Sequence, residues 1–303
     1  MTNRMPALSL AALPGRRAQM IEIAKEAEQR GFSGLYGPSL GDAMSLMLAI
    51  ALNTETIKLG TTVMPIYGAT PFNFAQSAAF LHEISNGRFH FGIGISHGPV
   101  YERLNVSVGK PLGDMRRFVG ELRAVPRTGD LPPLVLAAMR KKMIGLAGEI
   151  AEGMVFANGA RSHMAESLAV LPGDKRTGDD FFIGCMTPTC ISDDVEAAKA
   201  VNRRTLTGYA QLPNYRNYWK EAGFEEEMAG VEKAIADNEP ERIPAALSDR
   251  WLAEVTLFGP AGHVREQVEA WFDAGIKTPI LVPSSAAGNQ LVAIREVFDT
   301  FAA

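Results

Sequence analysis

Residues 59–96 read LGTTVMPIYGATPFNFAQSAAFLHEISNGRFHFGIGIS, and this stretch decides the fold class. A nearly continuous apolar run over 57–64 stops at Pro65, and a second apolar run covers 89–95. Between the two runs, apolar residues recur at helical spacing over 71–85. Strand, helix and strand within about 40 residues is the size of a βαβ unit. Runs that are apolar almost throughout predict parallel strands that are buried on both faces.

The same alternation of strand and helix continues along the whole chain. Glycine-terminated helices run directly into short apolar strands at RGFSGLY (30–36), AEGMVFA (151–157) and AGIKTPILV (274–282). A doubly wound sheet would carry a phosphate loop after its first strand, and AALPG at 11–15 lacks the glycines of such a loop. Eight strands with helices between them instead predict a (β/α)8 TIM barrel that forms a single domain over 1–303. The predicted strands are 6–11, 32–36, 57–64, 89–95, 134–138, 153–157, 181–190 and 278–283.

Several helices are predicted outside the opening unit. Residues 208–254 carry only helical and loop patterns, which predicts a helical insertion between the seventh and eighth strands. A helix over 193–205 is expected to be capped by Ser192 and Asp193. Another helix is predicted over 162–171, after the sixth strand.

Composition and charge limit the classes of function. The net charge of −4 gives no reason to expect nucleic acid as a partner. No apolar run reaches the ~20 residues that a membrane span needs. The short apolar stretch between Pro6 and Pro14 is interpreted as a strand and not as a signal peptide. Cys185 and Cys190 are expected to be buried free thiols, which suits the reducing cytoplasm.

The sequence lacks the common catalytic and metal-binding motifs. Its five histidines show no metal-ligand spacing, and it contains neither a G-x-S-x-G elbow nor a Walker A loop. Gly92 and Gly94 begin like a dinucleotide fingerprint, but His97 stands at the third glycine position. Close backbone packing at a strand end is the better interpretation of these glycines. The absence of these catalytic motifs indicates that a cofactor carries the chemistry. No metal site is predicted.

Five segments of the chain resemble the luciferase-like monooxygenase superfamily, in particular its coenzyme F420-dependent oxidoreductases. The order and spacing of these segments, which together span most of the chain, carry the resemblance. The segments are IKLGTTVMP (57–65), TPFNFAQSAAFLHEISNGRFHFGIG (70–94), PPLVLAA (132–138), LAGEIAEGMVFANG (146–159) and TLFGPAGHVREQVEAWFDAGI (256–276).

The resemblance implies that a deazaflavin, coenzyme F420, or alternatively FMN, binds at the carboxyl ends of the barrel strands. In this family a cis peptide that does not precede proline often follows the third strand, and here it would join Thr62 to Val63. The loop at 137–141 matches the family's phosphate loop, although Met139 and Arg140 replace two glycines. The cofactor-binding residues expected on this basis are Thr61, Thr62, Val63, Met64, Ser96, Ala137, Ala138, Met139, Arg140, Lys141, Asn158 and Gly159.

Three cations, Arg140, Lys141 and Lys142, stand where the helix after the fifth strand is predicted to begin. Positive charges at a helix N-terminus oppose the helix dipole, so these three residues need an explanation. An anionic cofactor tail held by them and by the first backbone amides of the helix would provide one. The alternative is a basic turn that is simply solvated.

The chain departs from the family after the second strand. Members that oxidise alcohols carry an Asp-His pair there, and the aligned residues here are Pro38 and Ser39. Serine cannot replace histidine as a general base near neutral pH, which argues against alcohol oxidation and favours hydride transfer to a C=C or C=N bond. The substrate pocket is expected to contain Ser39, Leu40, Ile66 and His97, and the candidate proton donors are His97, Tyr67 and Tyr101.

Two other functions remain open at this stage. One is an FMN-dependent monooxygenase of the same superfamily. The other is a cofactor-free binding protein on the same fold, because Met139 and Arg140 occupy the places of two loop glycines. For the enzyme, the resemblance implies a small-molecule substrate and a homodimer.

Overall fold

Eight parallel strands close into a barrel in the computed structural model, which describes residues 4–301. Each strand pairs with the next one along the chain, and the last strand pairs with both the first and the seventh. The predicted (β/α)8 TIM barrel is therefore confirmed. The strands are β1 Ala7–Ser9, β2 Gly34–Gly37, β3 Lys58–Thr61, β4 Phe89–Gly94, β5 Leu134–Ala137, β6 Gly153–Ala157, β7 Phe182–Ile191 and β8 Thr278–Ser284.

The helices form the outer layer of the barrel, and four of them, α10 to α13, make up the predicted insertion between β7 and β8. Two 3-10 turns, Arg161–His163 and Pro240–Arg242, accompany them. No helix within residues 4–301 has the length and apolar character needed to cross a membrane. The helices are α1 Arg17–Gln29, α2 Ala43–Ala51, α3 Pro71–Ile84, α4 Gly98–Leu104, α5 Pro111–Arg123, α6 Lys141–Ile150, α7 Met164–Leu168, α8 Gly173–Thr177, α9 Val195–Ala210, α10 Pro213–Glu221, α11 Glu225–Ala236, α12 Ile243–Ala246, α13 Asp249–Val255, α14 Ala261–Asp273 and α15 Gln290–Thr300.

The third strand is shorter than predicted. It ends at Thr61, and Met64–Pro65 forms a separate two-residue strand that pairs with Ile93 and Gly94 of β4. The Thr62 amide still donates to the Gly37 carbonyl of β2 at 2.8 Å, so the interruption begins after this bond, at the cis peptide that joins Thr62 to Val63. A run of apolar residues cannot show such an interruption, since strand and loop here have the same apolar character.

The predictions for two helices were also wrong in part. The helix predicted over 162–171 is a 3-10 turn followed by the short α7, and Pro172 then prevents its continuation. The N-cap of α9 is Asp194, whose carboxylate accepts a hydrogen bond from the Ala197 amide at 3.0 Å. Ser192 instead accepts from the amide of Asp194. Three elements were not predicted: α4, α8, and a three-residue strand, Leu257–Gly259, that pairs in parallel with the end of β7.

Aromatic rings and glycines fill the interior of the barrel together. A Cβ on Gly34 or Gly60 would lie 2.8 or 2.9 Å from the ring of Tyr36, and one on Gly184 would lie 2.6 Å from the ring of Phe182. The two rings are 5.6 Å apart, measured between centroids. Small residues on the strands therefore make room for large rings that would not fit otherwise, and the interior is a packed core.

Arg88 belongs to SNGRF (85–89), a part of the family resemblance, and its role in the structure is to hold the fold together. Its guanidinium donates to the carbonyls of Ser85, Ala51, Thr54 and Ile57 and to the Thr54 hydroxyl, at 2.8 to 3.0 Å. The side chain is only 6% exposed. Arg88 therefore ties the end of α3 to the segment between α2 and β3, at the amino end of the strands and away from the barrel mouth.

Candidate active site

The segment that follows β3 forms one wall of the barrel mouth. Thr61 donates its hydroxyl proton to the Gly92 carbonyl at 2.7 Å, and the Thr62–Val63 peptide is cis, as the resemblance implied. Thr62 is 5% exposed, and its hydroxyl oxygen has no hydrogen-bond partner in the part of the chain that the structure describes. Val63 packs on the interior cluster beside Val135. The segment thus presents one apolar side chain and one unsatisfied hydroxyl.

Gly92 and Gly94 make this arrangement possible. A Cβ on Gly92 would lie 1.8 Å from the Thr61 carbonyl oxygen, which is far inside any real contact distance. A Cβ on Gly94 would lie 2.7 Å from Cγ2 of Val63 and 3.0 Å from the Cβ of Ala137. The interpretation of the two glycines as sites of close backbone packing is therefore confirmed.

The loop after β5 carries the predicted cations, and two of them already have protein partners. Arg140 forms an ion pair with Glu221 of the insertion, and Lys141 forms one with Glu166 of α7. Within residues 4–301, Lys142 forms no ion pair. The two acids explain part of the positive charge at the start of α6 without an anionic ligand. A surface cavity of about 520 Å³ lies here, lined by Arg140, Lys141, Lys142, His163, Glu166 and Glu221.

The other residues expected in this loop lie closer to the barrel. Ala138 is buried, and its amide donates to the Val155 carbonyl of β6 at 3.0 Å. Ala137 and Met139 are half-buried, and Met139 packs against the main core. The loop therefore turns from apolar at the barrel to charged at the surface within four residues.

Asn158 contributes a second unsatisfied polar group at the mouth. It follows β6 with a φ of 59°, in the left-handed region that asparagine adopts more readily than most residues. The residue is 4% exposed, and its amide nitrogen Nδ2 has no hydrogen-bond partner among residues 4–301. Gly159 is buried beside it, where a Cβ would lie 3.0 Å from Cε of Met164.

His97 lies at the start of α4, directly after Ser96, which has a φ of 72°. The ring atom Nδ1 of His97 is buried and has no partner in the described chain. Burial, and then the charge of Arg103, lower the pKa of the ring below its usual 6.5. The imidazole is therefore neutral at pH 7, so it is suited to hydrogen bonding and holds no stored proton.

Tyr67 and Tyr101 meet at the rim, but the proton of Tyr67 is already engaged. The Tyr67 hydroxyl donates to the Asp114 carboxylate at 2.6 Å, and the ring of Tyr101 packs edge-on against it at 5.6 Å. Burial and the bond to Asp114 raise the pKa of Tyr67. Asp114 also accepts from the Gly109 amide at 2.7 Å and pairs with Arg117 at 2.8 Å. Asp114 is not among the predicted site residues, because nothing in the local pattern distinguishes a carboxylate in the first turn of a helix from an ordinary surface acid.

The expected substrate-pocket residues are not brought together as one surface. Ser39 and Leu40 are exposed in the loop after β2, and Leu40 is 57% exposed. Ile66 is only 4% exposed and belongs to the main core. His97 is the member of the set that stands at the mouth, and its Nδ1 is a third buried polar atom there without a partner in the described chain.

Cysteines and possible metal ligands complete the survey of reactive groups. Cys185 and Cys190 are buried free thiols, and burial raises the pKa of each to about 11. Thiols with such a pKa are protonated and unreactive at neutral pH. Residues 4–301 contain no group of three or more His, Cys, Asp or Glu side chains that could hold a metal ion.

Comparison with known proteins places this barrel in a family. The model of the luciferase-like monooxygenase family matches residues 4–278. The chain belongs to the luciferase-like monooxygenase family. The match runs from before β1 to the first residue of β8, so it includes the carboxyl ends of β1 to β7.

Individual relatives agree with this assignment. The 5,10-methylenetetrahydromethanopterin reductase of Methanolobus tindarius is 30% identical over 209 residues, which are 60% of this chain and 64% of that protein. The coenzyme F420-dependent tetrahydromethanopterin reductase of Methanopyrus kandleri has the same fold, with a TM-score of 0.74 at 17% identity over 97% of each chain. The oxygenating constituent of the FMN-bound 3,6-diketocamphane monooxygenase of Pseudomonas putida also has it, with a TM-score of 0.64 at 15% identity over 98% and 96% of the two chains.

Proposed function

We propose that this protein is a coenzyme F420-dependent oxidoreductase that reduces a C=C or C=N bond of a small organic substrate. The observation that carries the proposal is a group of three buried polar atoms at the mouth that have no hydrogen-bond partner within residues 4–301, namely Oγ1 of Thr62, Nδ2 of Asn158 and Nδ1 of His97. Buried polar groups are almost always hydrogen-bonded in native proteins, so three such groups at the mouth of one barrel fit a polar ligand. The carboxyl ends of the strands are also where TIM barrels place their active sites.

The residues at the mouth suit a flat ring with polar edges. Thr62 and Asn158 would hydrogen-bond to the edges, and Val63 would support the apolar face of the ring. A bound deazaflavin supplies the hydride transfer itself. The protein orients the substrate against the ring and keeps water away, which is the larger part of its task in such chemistry.

The charged cavity at the start of α6 is the place we propose for the anionic part of the cofactor. Its lining contains three cations and two carboxylates, and Lys142 forms no ion pair within residues 4–301. An anion there would add to the existing pairs of Arg140 and Lys141. The opposing charges of Glu166 and Glu221 limit the attraction, so the phosphate alone cannot be the main source of affinity.

The direction of the reaction follows from the groups that could move a proton. Ser39 is exposed and is a poor base, the pKa of His97 is lowered, and the proton of Tyr67 is held by Asp114. Alcohol oxidation needs a base that takes the hydroxyl proton, and Ser39, at the position after β2 that the resemblance gives to the histidine of alcohol-oxidising members, cannot act as one near pH 7. Hydride transfer to an activated double bond does not need a base of this kind. The reductase of Methanolobus tindarius, one of the relatives, supports reduction as the reaction.

The second candidate is an FMN-dependent monooxygenase, and the FMN-bound neighbour of the same fold favours it. Parallel titrations of the purified protein with F420 and FMN, followed by fluorescence quenching, separate the two candidates. We expect tighter binding of F420. Micromolar binding of FMN without binding of F420, together with oxygen consumption in the presence of reduced FMN, would assign the monooxygenase. No binding of either would leave a cofactor-free binding protein.

We also propose that the enzyme is a homodimer, formed through the exposed face of α2 and α3. A groove of about 320 Å³ lies between these helices, and Phe80 and Phe72 are more than half exposed. Residues 43–51 and 71–81 contain no charged side chain, so a two-fold axis could place this face against itself without unpaired charge. Light scattering after size exclusion tests this: we expect a dimer for the wild type and a monomer for Phe80→Glu.

We also propose a cytoplasmic location, because the buried free thiols suit a reducing compartment.

A further inference from the structure

The helical insertion between β7 and β8 reaches the barrel mouth through one indole. Nε1 of Trp219, on α10, donates to the Asn158 carbonyl at 3.1 Å. The two residues are 61 positions apart in the chain, and Trp219 is completely buried. The insertion therefore makes a direct polar contact with one of the residues whose side chains are unsatisfied at the mouth.

A second bond from the same helix holds the next turn of the loop. The amide of Ala160 donates to the Tyr218 hydroxyl at 3.0 Å. On the other side, the Asn158 amide donates to the Met186 carbonyl of β7 at 3.0 Å. Three hydrogen bonds from two elements thus fix the backbone of residues 158–160.

This fixed backbone matters because Asn158 adopts a conformation that most residues avoid. Its φ is 59°, and its amide nitrogen Nδ2 is buried with no partner among residues 4–301. A left-handed residue relaxes to the ordinary helical or extended regions when nothing holds it, and its side chain then changes direction. The position of the carboxamide therefore depends on the groups that hold the backbone.

We propose that Trp219 is a positioning residue for Asn158, so that the insertion helix α10 sets the carboxamide for the bound cofactor. The inference rests on the proposed function in one respect, namely that Asn158 hydrogen-bonds to F420. Trp219 itself does not touch the cofactor in this scheme. It acts through a single N–H···O bond to the backbone of Asn158.

The chain supplies a matched control for this bond. Trp251 of α13 is also completely buried, and its ring packs edge-on against Trp219 at 4.8 Å between centroids. The indole nitrogen of Trp251 has no hydrogen-bond partner within residues 4–301. Trp219→Phe removes packing and a hydrogen bond, whereas Trp251→Phe removes packing alone, so a comparison of the two isolates the bond.

The first experiment measures F420 binding to the full-length wild type, Trp219→Phe and Trp251→Phe. We expect Trp219→Phe to weaken binding roughly tenfold, and Trp251→Phe to change it less than twofold, at similar losses of thermal stability. In a double-mutant cycle, Trp219→Phe should add no further loss to Asn158→Gly, which removes the carboxamide and tolerates a positive φ. Equal weakening by both tryptophan variants, or additive losses in the cycle, would overturn the proposal.

A second measurement needs no cofactor. In the ligand-free protein labelled with ¹⁵N, we expect the backbone amide signals of residues 158–160 to shift in Trp219→Phe and to stay in place in Trp251→Phe. If the wild type binds neither F420 nor FMN, the proposed function fails, and the amide signals still decide whether Trp219 positions this loop. Unchanged signals in Trp219→Phe would refute the positioning role even if F420 binds.

Discussion

Thr62→Val should raise the stability of the ligand-free protein and weaken its binding of F420. The hydroxyl of Thr62 is buried without a partner, whereas the hydroxyl of the adjacent Thr61 donates to the Gly92 carbonyl at 2.7 Å. A buried, unpaired hydroxyl costs ~1 to 3 kcal/mol of stability, and valine has nearly the same shape without this cost. We therefore expect the free energy of unfolding to rise by about 1 kcal/mol, and Tm by about 2 °C.

The same substitution removes a group that the proposed cofactor would satisfy. Loss of one neutral hydrogen bond is worth about 1 kcal/mol, which corresponds to roughly fivefold weaker binding of F420. Thr61→Val is the control: it should lower stability by about 1 kcal/mol, because it removes a hydrogen bond that the ligand-free protein makes. Urea unfolding and fluorescence titration measure the two effects. Wild-type affinity in Thr62→Val, or a loss of stability equal to that of Thr61→Val, would show that this hydroxyl is no ligand-binding group.

Three further predictions concern charged residues. Glu221→Gln should strengthen F420 binding and Arg140→Gln should weaken it, each by a few-fold at low salt. Both effects should be smaller at high salt, because the pair is exposed and screened. If titrations showed the same change in F420 affinity for both variants, an anion in this cavity would be excluded. Arg88→Met should lower the free energy of unfolding, measured with urea, by about 3 to 5 kcal/mol, since five hydrogen bonds are lost. It should leave the F420 affinity of the folded protein unchanged, and a weaker affinity would place Arg88 in the site. The bonds from Tyr67 and from Gly109 and Arg117 lower the pKa of Asp114 below its usual 3.8, so its contribution is present above that pH and is lost as the pH falls through the lowered value. Asp114→Asn should therefore flatten the acid side of the stability profile, and an unchanged profile would contradict this assignment.

The two motifs with the clearest local signals have different roles in the structure. Gly92 and Gly94 let the segment after β3 approach β4, so this motif shapes the site. Arg88, in the neighbouring segment SNGRF (85–89), donates hydrogen bonds to backbone carbonyls at the opposite end of the strands. A sequence match treats the two motifs alike, because both recur with the fold, and only their positions in the barrel separate a binding role from a structural one.

The cations after β5 show where local reasoning about charge stops. Three positive residues at a helix N-terminus need an explanation, and the sequence allowed either an anionic ligand or a solvated basic turn. The structure supplies Glu221 to Arg140 and Glu166 to Lys141, from elements 81 and 25 positions further along the chain. Charge balance is a property of neighbours in space, so it cannot be read from neighbours in sequence.

The sequence by itself determined the barrel, the positions of its eight strands within a few residues, and the glycines that allow close backbone packing at the mouth. These features depend on local patterns, namely apolar runs, helix-ending glycines and residue size, which act over one strand or one helix. Only the tertiary structure decided that Asp114 holds Tyr67, that Trp219 holds Asn158, and that Thr62 and Asn158 are among the unsatisfied groups within residues 4–301. Each of these facts joins residues from separate elements, or depends on the absence of a neighbour in space, and a one-dimensional pattern contains neither kind of information.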